Sequence, residues 1–223
     1  MSTLSQMWPY LQQGFLLTVQ LLAYSAIGAT VVGTTLAGMR VSPVLPFRGF
    51  GTSYVNVFRN TPLLVMFILV VEGLPSIGVR PTLSWLGLGI FETLAILTLT
   101  VYTSAFVCEA LRSGINTVDA GQAEASRAVG MTFGQTLGAV VLPQAFRASI
   151  PPLASVYIAL AKNTSVAAVF GVVEATTQLS RMIEATVAPP IIVFLVIALG
   201  YMLIVWVISG AAALLERGTA AAR

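Results

Sequence analysis

The chain is 223 residues long, 57% hydrophobic and only 9% charged, with a formal net charge of +3. Soluble domains carry about a quarter charged residues, so this composition excludes a water-solvated globule, and so small a positive excess gives no sign of a nucleic-acid partner. There is no histidine and a single cysteine, Cys108, which excludes an internal disulfide, a Cys/His metal cluster and a Ser–His or Cys–His couple.

Residues 1–39 hold no positive charge, so no secretory leader is expected, and Trp8 and Tyr10 read as interfacial anchors. Crossing the hydrocarbon core takes about 20 apolar residues. Charge-free runs predict five spans, at about 14–39, 61–74, 93–111, 149–173 and 190–215. The second is short and carries Glu72, and the fourth is interrupted by Pro151, Pro152 and Lys162. Residues 73–92, with Pro75, Pro81 and Trp85, suit a short interfacial or re-entrant helix. The fold class expected is an all-α integral membrane protein.

The arginines set its orientation. Arg40, Arg48 and Arg59 fall between spans one and two, Arg112, Arg127 and Arg147 between three and four, and Arg217 and Arg223 after five. Only Arg80 and Arg181 lie on the other side. The positive-inside rule then places the N-terminus outside and the C-terminus inside. Glu72, Glu92, Glu174 and Glu184 fall near the outer face and read as solvated or docking charges, and Cys108 as packing.

Between spans three and four the chain turns polar. Asp119 with Gln122 forms a capping-box pattern, alanines follow at 120, 123, 125 and 128, and Gly130 suits a helix stop. Thr132 with Gln135 repeats the box and predicts a second helix ending before Pro143. A narrow alanine-rich helix can enter a partner's groove, with Glu124 offering a charge. An ordinary helical linker would show the same boxes.

Glu124, Ala125, Gly130, Val140, Leu142 and Pro143 stand at the spacing of the EAA loop of ABC importer permeases, with Ser126 where a third alanine is usual and Val140 for isoleucine. Pro143-Gln144-Ala145-Phe146-Arg147, Lys162-Asn163-Thr164-Ser165 and Arg59-Asn60-Thr61-Pro62-Leu63-Leu64 resemble runs of the polar amino acid permeases in that family. Tyr102–Phe106 and Ser113–Val118 are most similar to glutamate permease subunits of actinobacteria. The chain departs from the pattern at Asn60, Met66 and Ser155. The resemblance implies one transmembrane domain of type I importer fold over 1–223, with a cytoplasmic coupling loop at 119–143. It implies a bacterial plasma membrane and a permease that hydrolyses nothing and holds no cofactor. ATP and Mg would sit on partner ATPase subunits, docked through Ala123, Glu124, Ala125, Ser126, Arg127 and Gly130. A second permease subunit and an extracytoplasmic amino acid-binding protein would complete the system.

The candidate substrate path follows from polar residues inside spans. Lys162, the only lysine, lies roughly 20 Å into the fourth span, where an ionisable group is costly and turns to the bundle interior. Asn163, Thr164 and Ser165 follow it, with Thr61 and Glu109 as weaker candidates. Each has a plainer reading: Lys162 tied to a neighbour, Thr164 and Ser165 bonded to their own helix, Glu109 paired with Arg112 three residues on. An ion-coupled carrier is the competing class, and it would need central acids that the spans hardly supply.

Overall fold

In a computed structural model the described residues, 3–220, fold as helices joined by short connections, and Arg223 lies outside them. Helix α1 (Thr3–Val41) is a single rod, longer than expected at both ends. After Ser42 and Pro43 comes α2 (Leu45–Asn60), then α3 (Leu63–Phe67), a wide π-turn (Ile68–Glu72) and α4 (Gly73–Ser76). Helix α5 (Ile90–Asn116) leads to the polar loop with α6 (Ala120–Ala128) and α7 (Phe133–Thr136). A second π-turn (Leu137–Val141) opens into α8 (Leu142–Asn163), and a 3-10 turn (Thr164–Phe170) precedes α9 (Ala175–Glu184) and α10 (Pro190–Ala220).

Four stretches are long and apolar enough to cross a membrane, and a fifth crossing is reached when the bent pair Leu45–Asn60 and Leu63–Ser76 counts as one. The second predicted span therefore needs correction. The pair bends by 107°, because Pro62 lacks an N–H and drives Thr61 into an extended conformation (φ −91°, ψ 128°). Arg48 and Arg59, read as loop residues, lie on α2. That helix was hidden because it is amphipathic: Gly51 and Val55 are buried while Leu45, Phe47, Phe50 and Val57 are exposed, and a search for charge-free runs passes over such a pattern.

The prolines of the fourth span also behave differently from expectation. Helix α8 runs unbroken through Pro151 and Pro152. Nor does Pro143 end the preceding helix. The backbone N–H of Leu142 reaches back to the Leu137 carbonyl across the π-turn, and this widened turn carries the helix past a ring that an α-turn would clash with. The loop helix and the fourth span are one rod.

Close packing of α1, α5 and α8 sets the centre. A side chain at Gly33 of α1 would come within 2.7 Å of Val107 on α5, and Gly114 brings α5 against Ser149 of α8 in the same way. Without a hydrophobic drive between helices in lipid, such small-residue approaches supply the contact. Leu21, Leu94, Leu99 and Leu160 fill the middle, and Phe67 stacks on Phe170 at 5.3 Å between ring centres. Met7, Met182, Val193 and Ile197 close one end, where α1, α9 and α10 meet. Leu36, Val55, Ala105 and Cys108 close the other, and Cys108 is packing as expected.

Candidate functional site

The polar loop is held by bonds that fix each turn. Asp119 caps α6, its Oδ1 accepting the Gly121 N–H at 2.7 Å. Its expected box with Gln122 does not form. Gln122 instead accepts from the Gln144 side chain at 2.7 Å, and the same amide donates to the Val140 carbonyl, which ties α6 to the start of α8. At the far end Gly130 (φ +94°) reverses the chain. The Gly130 N–H meets the Arg127 carbonyl and the Met131 N–H the Ser126 carbonyl, the paired bonds of a Schellman stop. The Thr132–Gln135 box forms in both directions.

Ser126 is turned inward, 8% exposed, with its hydroxyl 2.8 Å from the Ala123 carbonyl and 2.9 Å from the buried Thr136 hydroxyl. The serine that replaces the usual alanine thus clamps α6 onto α7. Glu124, Ala125, Arg127 and Gly130 face outward, and Ala123 is half-buried. Val129 and Phe133 add two widely exposed apolar side chains beside Gly130. The loop therefore presents a charged and apolar outer side on a frame whose inner side is satisfied.

Near the same end Glu109 is a hub for three arginines. Arg40 from α1 binds one carboxylate oxygen directly, and Arg59 from α2 and Arg112 share the other at 3.3 and 3.5 Å. The expected Glu109–Arg112 pair is present but is the longest of the three. This hub pins the ends of α1 and α2 to α5, and no sequence spacing relates those residues.

The four residues Lys162 to Ser165 diverge. Lys162 is exposed beside a groove of about 280 Å³ with Ser165, Thr176 and Tyr201, toward α9 and α10. Asn163 borders a different groove on the α5 side. Thr164 is buried and donates to the Ala161 carbonyl at 2.8 Å, and Ser165 donates to the Lys162 carbonyl at 2.7 Å, so both hydroxyls return to their own helix. Thr61 does the same, donating to Val57 at 2.8 Å from the corner before α3.

Glu174 corrects an expectation outright. It is fully buried rather than solvated, because it caps α9 from inside the bundle. Its carboxylate accepts from the Thr177 N–H at 2.9 Å and the Tyr201 hydroxyl at 2.7 Å, with Thr18 of α1 at 3.4 Å. Burial pushes this carboxyl above its ordinary range, against the opposing hydrogen bonds of the α9 backbone and Tyr201. A glutamate just ahead of a short polar helix is an N-cap signal that the sequence reading passed over.

Helices that cross a membrane, with one of them extended into a braced polar loop, give the chain the architecture of a membrane-embedded subunit. The chain belongs to the family of binding-protein-dependent transport system inner membrane components, whose profile matches residues 29–221. It is thus a permease subunit of an ABC importer and not the catalytic part. The glutamate transport system permease protein GluC of Corynebacterium efficiens is 44% identical over 92% of both chains. The arginine transport system permease protein ArtQ of Bacillus subtilis is 32% identical over 73% of this chain and 71% of that one. The crystal structure of an amino acid ABC transporter with histidines superposes with a TM-score of 0.83 at 29% identity, covering 97% of this chain and 98% of the other. An inward-facing MetNI methionine ABC transporter shares the fold at 18% identity and a TM-score of 0.76, over 96% and 97% of the chains.

Proposed function

We propose that this permease imports a polar amino acid, glutamate foremost, and is driven by ATPase subunits that dock on α6. The observation that carries the reading is mechanical. The outward side of α6, with Glu124, Ala125 and Arg127, is braced by the Ser126–Thr136 and Gln122–Gln144 contacts onto a rod that continues into α8. A partner that closes against α6 moves the fourth span with it, and closure biases the bundle between its two access states. Glu124 supplies the charge for a basic groove, Gly130 the reversal that shapes the tip, and Ala123 the narrow flank.

The glutamate assignment rests on GluC, similar along nearly the whole chain. ATP and Mg act on the partner. A second permease subunit, the same or similar, faces this one across the path, and an extracytoplasmic binding protein delivers substrate from the side of Arg80 and Arg181. In this arrangement the N-terminus is outside, and the loop and C-terminus are inside with most of the arginines. Lys162, Asn163, Thr164, Ser165, Thr61 and Glu109 remain the proposed path residues. Of these Lys162 and Asn163 present free side-chain groups, while the others stabilise the wall.

The test is reconstitution of the chain with its genome-neighbour ATPase and the binding protein in proteoliposomes. ATP inside the vesicles is expected to drive uptake of labelled glutamate. Uptake that runs on a proton or sodium gradient with no ATPase present would overturn the reading in favour of an ion-coupled carrier.

A further inference from the structure

The surface of α2 differs from that of the long apolar spans. Phe47, Phe50 and Val57 fall on one flank of the helix, each more than half exposed. Arg48 and Arg59, about three turns apart, fall on the opposite flank, and Asn56 and Asn60 are exposed between the two. The remaining side is buried, with Gly51 against Leu36 and Arg40 of α1 and Val55 packed with Ala105 and Cys108 of α5.

The direction of α2 explains this pattern. It turns by 107° from the segment Leu63–Ser76, so with that segment along the membrane normal α2 lies close to the membrane plane. It does so at the loop end of the bundle, where Gly51 rests on the last turns of α1 and Arg59 reaches Glu109. A helix placed there, with one apolar and one basic flank, has the form of an interfacial helix. Its apolar flank sinks to the boundary of the acyl chains while its charges stay among the headgroups.

Charge then selects the lipid. Glu109 is a single carboxylate against three arginines, so the hub keeps two positive charges in excess. Arg40 is its direct partner. Arg59 and Arg112 converge on the other oxygen at 3.3 and 3.5 Å, longer than the roughly 2.7–2.9 Å of a full charge-assisted bond. The Arg112 Nε is buried with no partner at all, the mark of a hub that one acid leaves unsatisfied. Arg48 is exposed and makes no ion pair among the described residues, and neither α2 nor the connection before it holds an acidic residue. The surface is complementary to anions on one flank and to acyl chains on the other.

We propose that α2 and the arginine hub form a binding surface for anionic phospholipid in the leaflet on the loop side. Arg48 and the spare donors of Arg59 and Arg112 engage headgroup phosphates, while acyl chains of the same leaflet cover Phe47, Phe50 and Val57. Because α5 runs from Glu109 into the polar loop, a headgroup on the hub braces the base of that loop. The inference goes beyond the import reading and holds whichever amino acid is carried.

The experiment uses the complex of the chain with its genome-neighbour ATPase in lipid nanodiscs. Cys108→Ala removes the only thiol. Phe50→Cys then carries a bimane label on the apolar flank, with Ser53→Cys on the outward side as reference. Brominated phosphatidylcholine is expected to quench the label at position 50 more than at position 53. Brominated phosphatidylglycerol at the same mole fraction should be enriched at position 50 about fivefold or more over phosphatidylcholine, the value of one arginine near a charged surface. High salt should reduce the enrichment. Arg48→Gln, which leaves the hub intact, should lower it, and adding Arg112→Gln should bring it close to parity. Equal quenching by the two lipids, or enrichment unchanged in both variants, overturns the selection of anionic lipid. Inorganic phosphate that abolishes the enrichment at constant ionic strength marks the hub as a soluble-anion site and overturns the lipid reading. No quenching at position 50 by either lipid shows the flank covered by protein, such as a second copy of the chain, and overturns it as well.

Discussion

Two acidic centres, Glu109 and Glu174, sit at different depths of the same bundle and are stabilised in opposite ways. Thr18, which touches the Glu174 network, and Arg40, which holds Glu109, are separated along α1 by roughly 33 Å at 1.5 Å per residue. Glu109 is surrounded by guanidinium groups at the end that carries the polar loop. Glu174 is fully buried and meets only hydroxyls and the backbone N–H groups of a helix start. The first arrangement gathers excess positive charge at the end of the bundle that carries the polar loop. The second ties α1, α9 and α10 together without a counter-ion. The difference teaches that charge at the loop end stays partly open to its surroundings, with Arg59 and Arg112 45% and 40% exposed, while the carboxyl at the other centre is sealed for cohesion.

Removing each carboxylate sharpens this contrast, and Cys108, the only thiol and fully buried, reports unfolding through a thiol-reactive dye. Glu109→Ala should have the largest effect, a loss of about 3 kcal/mol, because it leaves like charges crowded and partly desolvated. A drop in the dye-detected midpoint checks it, and no drop would mean the hub is not structural. Glu174→Ala should cost about 2 kcal/mol, since Tyr201 and the α9 N–H groups lose their acceptor.

Glu174→Gln should be milder and should change the pH response. The folded carboxyl titrates above its unfolded value, so the folded state holds the proton more tightly. Its contribution is full at low pH and fades as pH rises through the folded pKa. Midpoints measured across this range should decline with pH in the parent, and the slope should flatten in Glu174→Gln. Ser126→Ala should have the smallest effect, about 1 kcal/mol for the lost contact with Thr136, with ATPase binding retained because the hydroxyl faces inward. Loss of binding in that variant would show the serine on the docking side after all.

The loop was the most legible region of the sequence. Its caps, its glycine reversal and its outward acid are local signals, and local signals survive without knowledge of the fold. Even there, the Gln122 side chain chose Gln144 over its own helix start, and a π-turn carried the rod past Pro143. The long apolar spans were legible by length and charge. Helix α2 was not, because its polar side breaks the apolar run, and α9 was not, because a short helix capped by a buried glutamate looks like a solvated turn. The arginine hub was out of reach of the sequence for a plainer reason. Arg40, Arg59 and Glu109 come together only when α1, α2 and α5 pack, and no periodicity within a segment encodes that meeting.

The central claim is that force enters through α6, and co-purification tests it most directly. The tagged chain would be isolated with its genome-neighbour ATPase as parent, Glu124→Arg and Gly130→Pro, with the Cys108 unfolding midpoint recorded for each. Proline cannot adopt the φ of +94° that Gly130 holds, and arginine reverses the one acidic charge on the outer side of α6. The account expects the ATPase to stay with the parent and to be lost from both variants while the folded bundle is retained. An ATPase that binds all three equally would contradict it.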